Sequence, residues 1–184
     1  VVDVADSKLA SVYERLPYPL VIDNGIFFYN ETKKIVALKD IKGNLAGSSF
    51  SAFSGELTWS REMQLNIAAQ NASLLVREIY PWIVSYPKLE KKLKEFRFDG
   101  GSIGVDSLAL KGPLLQPEKW DFECSGSIQD MAVDWTLFPD TLRIAGGRFK
   151  AAPHKLVFTD ARTRLLDSSL TGSATLHQFL DGLS

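Results

Sequence analysis

The feature that most constrains this chain is a strict two-residue alternation of apolar and polar side chains. Ser51-Phe53-Gly55-Leu57-Trp59 interleaves with Ala52-Ser54-Glu56-Thr58, and Met63-Leu65-Ile67 with Gln64-Asn66. Farther on, Trp120-Phe122-Cys124-Gly126-Ile128 interleaves with Asp121-Glu123-Ser125-Ser127-Gln129. After a slip of one residue, Met131-Val133-Trp135-Leu137 continues the pattern. Successive side chains of a strand point to opposite faces, so these runs predict antiparallel strands with one apolar and one wet face. A chain built this way must either cover its apolar face or use it.

Two segments depart from period two. Asp3 to Leu16 places Val4, Leu9, Val12, Tyr13 and Leu16 at helical spacing and stops at Pro17 and Pro19, which predicts a short N-terminal helix. From Ser73 to Phe96, Leu74, Leu75, Ile79, Trp82 and Ile83, then Leu89, Leu93 and Phe96, follow helical spacing around Pro81 and Pro87. Proline suits the first turn of a helix and not its interior, so two or three short helices joined at the prolines are expected there. The fold class is therefore mainly β (α+β): a curved antiparallel sheet forming a trough or groove, with short helices at the N-terminus and inserted near 73–96.

Composition narrows the function. A formal net charge of −1 and a pI near 6.2 argue against a nucleic-acid partner, which calls for a basic stripe. Cys124 is the only cysteine, which excludes an internal disulfide framework and a multi-cysteine metal site. No apolar run approaches the roughly 18 residues of a membrane span. The sequence opens at Val1 rather than Met, which reads as a piece of a longer polypeptide.

Catalytic signatures are missing: no phosphate-binding loop, no dinucleotide fingerprint, no H-E-x-x-H and no nucleophile elbow. Asp121 and Glu123 imitate a carboxylate pair but read as the polar face of a strand, and Cys124 as an inert thiol on the apolar face. His154, between Pro153 and Lys155, reads as an exposed turn. No catalytic residue, metal ligand or cofactor is predicted.

A repeat is also visible. Ile22-Asp23-Asn24-Gly25, Phe98-Asp99-Gly100-Gly101 and Ile144-Ala145-Gly146-Gly147 share a template, and each is followed by a second glycine, at Gly55, Gly126 and Gly172. Lys34 to Asp40 further matches His154 to Asp160. Glycine inside a strand marks a bulge or bend, so matched bends would curl a sheet. The units are expected at about 20–70, 96–137 and 141–176, with the helical insertion at 73–96 between the first two.

These motifs carry a resemblance. Ile22-Asp23-Asn24-Gly25, Ile79-Tyr80-Pro81-Trp82, Leu110-Lys111-Gly112-Pro113-Leu114 before Trp120-Asp121-Phe122, Phe138-Pro139, Gly146-Gly147 and Asp167-Ser168-Ser169 stand in the order seen in bacterial AsmA-like proteins, the AsmA, YhdP and TamB type. The chain resembles one repeat segment of that family from Pro19 to Leu176. The resemblance implies a periplasmic segment of an envelope protein held in the inner membrane by an anchor outside this sequence. It further implies a repeating β-groove that carries phospholipid acyl chains between inner and outer membrane, non-enzymatically, and that meets neighbouring repeats through its edge strands.

The residues support such a path on their own terms. Little predicted helix is present to cover some ten strands, so either the sheet closes on itself or part of its apolar face stays open. An open apolar face marks a binding site, and each buried CH2 of a guest gains about 0.8 kcal/mol. The candidate lining is Phe53, Leu57, Trp59, Leu65, Ile67, Ile103, Val105, Trp120, Phe122, Ile128, Val133, Trp135 and Phe158. Packed core is the competing fate of each. Trp59, Trp120 and Trp135 are expected at a rim, ring buried and N–H wet. Lys88, Lys91, Lys92 and Lys94 read as a solvated helix face that could touch anionic head groups. Two further readings remain open: a closed β-sandwich for binding or adhesion, and a structural spacer with a filled core.

Overall fold

A computed structural model of the chain describes residues 2–4, 8–12, 14, 17–59, 62–85, 90, 93, 95–116, 119–136 and 139–177. The described strands are β1 (Val2–Val4), β2 (Leu9–Ser11), β3 (Leu20–Asn30), β4 (Ile35–Leu45), β5 (Ser48–Trp59) and β6 (Met63–Leu75), then β7 (Phe96–Asp99), β8 (Ser102–Pro113), β9 (Asp121–Trp135), β10 (Leu142–Ala152), β11 (Lys155–Leu165) and β12 (Ser168–His177). Helix α1 (Val76–Val84) lies between β6 and β7. All twelve strands join one antiparallel sheet in the order β1-β3-β4-β5-β6-β8-β9-β10-β11-β12, with β2 also on β3 and β7 also on β9. The path does not return on itself. The predicted curved, open antiparallel sheet is the fold, and the sandwich alternative finds no second sheet among the described residues.

Three expectations need correction. The N-terminal segment supplies β1 and β2, not a helix: Val4 lies opposite Gly25 and Leu9 opposite Ile22, both on the free edge of β3. The free edge of β3 offers so short a segment backbone partners along one side, whereas an isolated helix of this length is marginal. The insertion begins later than Ser73, because Ser73 to Leu75 still pair with β8. Pro81 lies inside α1 rather than at a helix start. The second predicted helical stretch falls mostly on residues outside those described, as do Lys88, Lys91, Lys92, Lys94, Leu137 and Phe138.

Long strands in this sheet bend at single left-handed residues. Asp40, Ala52, Asn71, Asp130 and Asp160 all have φ near +50°, inside strands. A residue in that conformation inserts one extra position and forms a bulge. Asp130 is the slip of one residue seen between Ile128 and Met131: the bulge returns Met131, Val133 and Trp135 to the face already occupied by Phe122 to Ile128.

The bulges also define the repeat. Between β3 and β4 the register shifts twice, at Ile22/Asn24 and Asn24/Ile26, opposite Gly43, Lys42 and Lys39. Between β10 and β11 it shifts twice again, at Ile144/Gly146 and Gly146/Arg148, opposite Thr163, Arg162 and Thr159. The meanders β3-β4-β5 and β10-β11-β12 are thus equivalent, with Asp40 matching Asp160. Their second glycines are not equivalent: Gly55 faces Leu38, but the residue facing the corresponding Phe158 is Ala174, two positions beyond Gly172. The middle stretch is built differently, since β7 and β8 are two pieces of one broken strand laid along β9.

Candidate functional site: the apolar face of the sheet

Cross-strand register assigns the faces, because directly opposed residues share a side. Val36, Leu57, Leu65 and Gly112 form one row, and Leu38, Gly55, Ile67, Leu110 and Phe122 the next. Carried across the bulges, the same side includes Phe53, Ile103, Val105, Ile128, Val133, Trp135 and Phe158, with Trp59 opposite Met63. Trp120, directly before β9, continues the parity of Phe122. All thirteen predicted lining residues therefore belong to one face. The opposite face carries Glu56, Gln64, Asn66, Lys111, Asp121, Glu123, Arg148 and Lys150, with surface ion pairs Lys111–Asp121 at 3.1 Å and Arg148–Asp106 at 2.7 Å.

The apolar face divides into two halves. Near the rim that holds α1 and the Ala46–Gly47 turn lie the buried apolar side chains: Ile22, Ile41, Leu45, Ala69, Val76, Val105, Ile128, Met131 and Val133. Helix α1 is the cover. Val76 packs on Ile128, Met131 and Val133, and Tyr80, Phe96, Phe98, Ile103, Phe149 and Phe158 surround that cluster. Tyr80 lies 5.2 Å from Phe98, ring centre to ring centre, and Phe96 stacks on Trp135 at 5.1 Å. Val105, Ile128 and Val133 are thus core, not open lining, and Ile103, Trp135 and Phe158 pack at its margin. The sequence could not separate these from the others, because which part of one continuous face a short helix covers is a tertiary fact.

A polar latch fixes the helix in place. Glu78 of α1 accepts hydrogen bonds from the backbone N–H of Gly47 at 3.0 Å and of Ser48 at 2.8 Å, and from the Ser48 hydroxyl at 2.6 Å. The Ser48 Oγ in turn accepts from the Leu75 N–H at 2.8 Å. Burial pushes the Glu78 carboxyl up, but the Ser48 hydroxyl, the two backbone donors and neighbouring Arg77 outweigh it and hold the group below its ordinary value of 4.5. Tyr80 donates to the Phe96 carbonyl at 3.0 Å, and burial raises its phenol.

Toward the other rim, marked by the turns at 31–34, 114–115 and 153–154, no inner-face side chain is fully buried. Leu57, Trp59, Leu65, Ile67, Trp120 and Phe122 are half-buried there, walled by strand neighbours, with no described residue layered above them. Phe27, Tyr29, Val36, Leu38, Leu110, Ala151 and Leu156 extend the strip and escaped the sequence reading. Their alternation is broken by Gly25, Asp40 and the hairpin turns, so a period-two scan passes over them. Tyr29, 59% exposed, stacks on Trp59 at 6.0 Å. The Trp120 N–H is not wet as expected: it donates to the Pro113 carbonyl at 2.8 Å, and Gly112 leaves the space its indole occupies.

Glycine lets two pairs of strands approach closely, β8 with β9 and β3 with β4. A side chain at Gly126 would place its Cβ 1.9 Å from the Gly104 carbonyl oxygen, and one at Gly25, with φ +151°, would meet Ile41 Cδ1 at 2.2 Å. Cys124 lies half-buried on the apolar face, and burial together with Asp106 raises its thiol pKa, the reverse of what an attacking thiolate needs. Among the described residues, no group of three or more His, Cys, Asp or Glu could hold a metal, and no helix is long and apolar enough to cross a membrane.

Fold and face together define the class: an open one-layer β-trough with a covered core at one rim and a bare apolar strip along the other. No family model, curated protein or solved structure matches the chain. The likeness to AsmA-like repeats accordingly rests on the motifs quoted above.

Proposed function

We propose that this chain is a non-enzymatic lipid-handling segment whose apolar strip holds phospholipid acyl chains. One observation carries the reading: among the described residues no protein layer lies over the strip from Phe27 and Tyr29 through Leu57, Leu65 and Phe122 to Leu156, while the reverse face is mostly polar, with Ile26 and Phe28 its exposed apolar exceptions on β3. Water on such a strip is unfavourable by about 25 cal/mol per Å2, and a flexible hydrocarbon can fill it without directional contacts. The resemblance to AsmA-like repeats gives the setting, a periplasmic segment of an inner-membrane-anchored protein of a diderm bacterium, in line with neighbouring repeats along the edge strands.

Native mass spectrometry of protein purified from bacterial cells tests this. Co-purifying phospholipid is expected, with clear loss in Leu57→Asp and Phe122→Asp, which put charge on the bare strip away from the core. Absence of bound lipid, with no transfer between vesicles, would rule the reading out. The equivalent meanders β3-β4-β5 and β10-β11-β12 favour a second reading, a structural spacer. A spacer would leave lipid exchange unaccelerated and the strip covered by an adjoining repeat.

A further inference from the structure

The wet face of the sheet carries a charge arrangement that the lipid reading does not use. Arg143 on β10 lies directly opposite Arg164 on β11. Like charges in direct cross-strand register destabilise a sheet unless something neutralises them. Arg162, on the same face, flanks a hollow of about 540 Å3 between these two rows of side chains. Its guanidinium lies across Gly146, where a Cβ would stand 2.9 Å from Nη2. Two other exposed cations on this face are paired: Arg148 with Asp106, and Lys111 with Asp121. Among the described residues the Arg143 and Arg162 side chains have no hydrogen bond or ion pair, and the Arg164 guanidinium donates only to the Leu166 carbonyl, at 3.2 Å. Asp130, at the bulge, is the one acid lining the hollow, against three arginines.

We propose that Arg143, Arg162 and Arg164 form a binding site for a phosphate-class oxyanion on the polar face of β10 and β11. Guanidinium groups present paired donors that match phosphate oxygens, and the hollow between the rows admits a group of that size. Ser169 and Thr171 on β12 also line it and add hydroxyl donors. The phosphate could belong to a lipid head group or to a soluble anion. The site is independent of the apolar strip and stands whether or not that strip carries lipid.

The test uses the whole chain with two probes. Inorganic phosphate is titrated calorimetrically, and flotation is measured with phosphatidylcholine vesicles and with vesicles that also contain phosphatidylglycerol. The double variant Arg143→Gln/Arg162→Gln is compared with Arg148→Gln, whose partner is Asp106. All three positions are exposed, and circular dichroism confirms that the variants fold. Binding that drops at least about tenfold in the double variant and is kept in Arg148→Gln supports the site, since one charge-assisted hydrogen bond accounts for that factor. Arginine-dependent flotation with the anionic vesicles assigns the head group as source, and phosphate binding without flotation assigns a soluble anion. No binding of either probe, or equal binding by the double variant, overturns the proposal.

Discussion

At the scale of single residues, the most consequential group is a buried glutamate. Glu78 and Ser48 are the two polar side chains that the sheet and helix bury almost completely. A buried carboxylate is tolerable here because three donors face it. Glu78→Ala leaves the Gly47 and Ser48 donors unsatisfied and is expected to cost about 3 kcal/mol or more. The folded pKa of Glu78 lies below its ordinary value, so the latch contributes fully above that value. The contribution fades as pH falls through the lowered folded value. Urea unfolding as a function of pH checks this: the parent should lose stability below about pH 4.5 by this route, and Glu78→Gln should lose that part of the dependence. A parent and variant with parallel pH profiles would refute it. This pair was illegible in the sequence, because nothing local links Ser48 to a glutamate thirty residues away.

At the scale of elements, strands that keep a long run of alternation on one side of their bend were legible, and those broken near the middle were not. β5, β6 and β9 follow directly from period-two runs, and even the bulge at Asp130 announces itself as a one-residue slip. β3 and β4 are interrupted by Gly25 and Asp40, so their apolar residues do not line up at one spacing in the sequence. The N-terminal stripe that reads as a helix shows the limit of periodicity: Val4 and Leu9 fit a helical face, yet the open edge of β3 recruits both segments as strands. The opposite edge has no such cover among the described residues. β12 is exposed along its whole length, with Leu170 61% and Leu176 49% accessible. A long exposed strand carrying leucines is a template for pairing. Sedimentation velocity should show concentration-dependent self-association of this chain, reduced by Leu170→Lys and Leu176→Lys. A strictly monomeric parent at high concentration would contradict this.

At the scale of the whole molecule, surface area decides the argument. A compact monomer of 20.4 kDa exposes about 8,800 Å2. This chain exposes 11987 Å2. Such an excess is what a one-layer sheet with little cover produces: among the described residues each strand is flanked by neighbours but roofed only near α1. Small-angle scattering is expected to give a radius of gyration above the roughly 16 Å of a compact chain of this length. A value at or below that figure would mean that the trough closes in solution and would remove the room for an acyl chain.

What the sequence determined by itself was the two-sidedness. Alternation fixes which side chains share a face wherever strands pair, so all thirteen lining candidates fall on one side of the sheet. The equivalence of its two three-stranded meanders left traces there, in Gly25 and Gly147 and in Asp40 and Asp160, whereas the second glycines, Gly55 and Gly172, do not correspond. The tertiary structure decided the rest: which half of the apolar face α1 covers, which edge the N-terminal strands occupy, and where Arg143, Arg162 and Arg164 converge. Each of these depends on how separate elements pair or pack, from the adjacent strands β10 and β11 to α1 laid over β9, and side-chain spacing within one segment does not say which other elements it will meet.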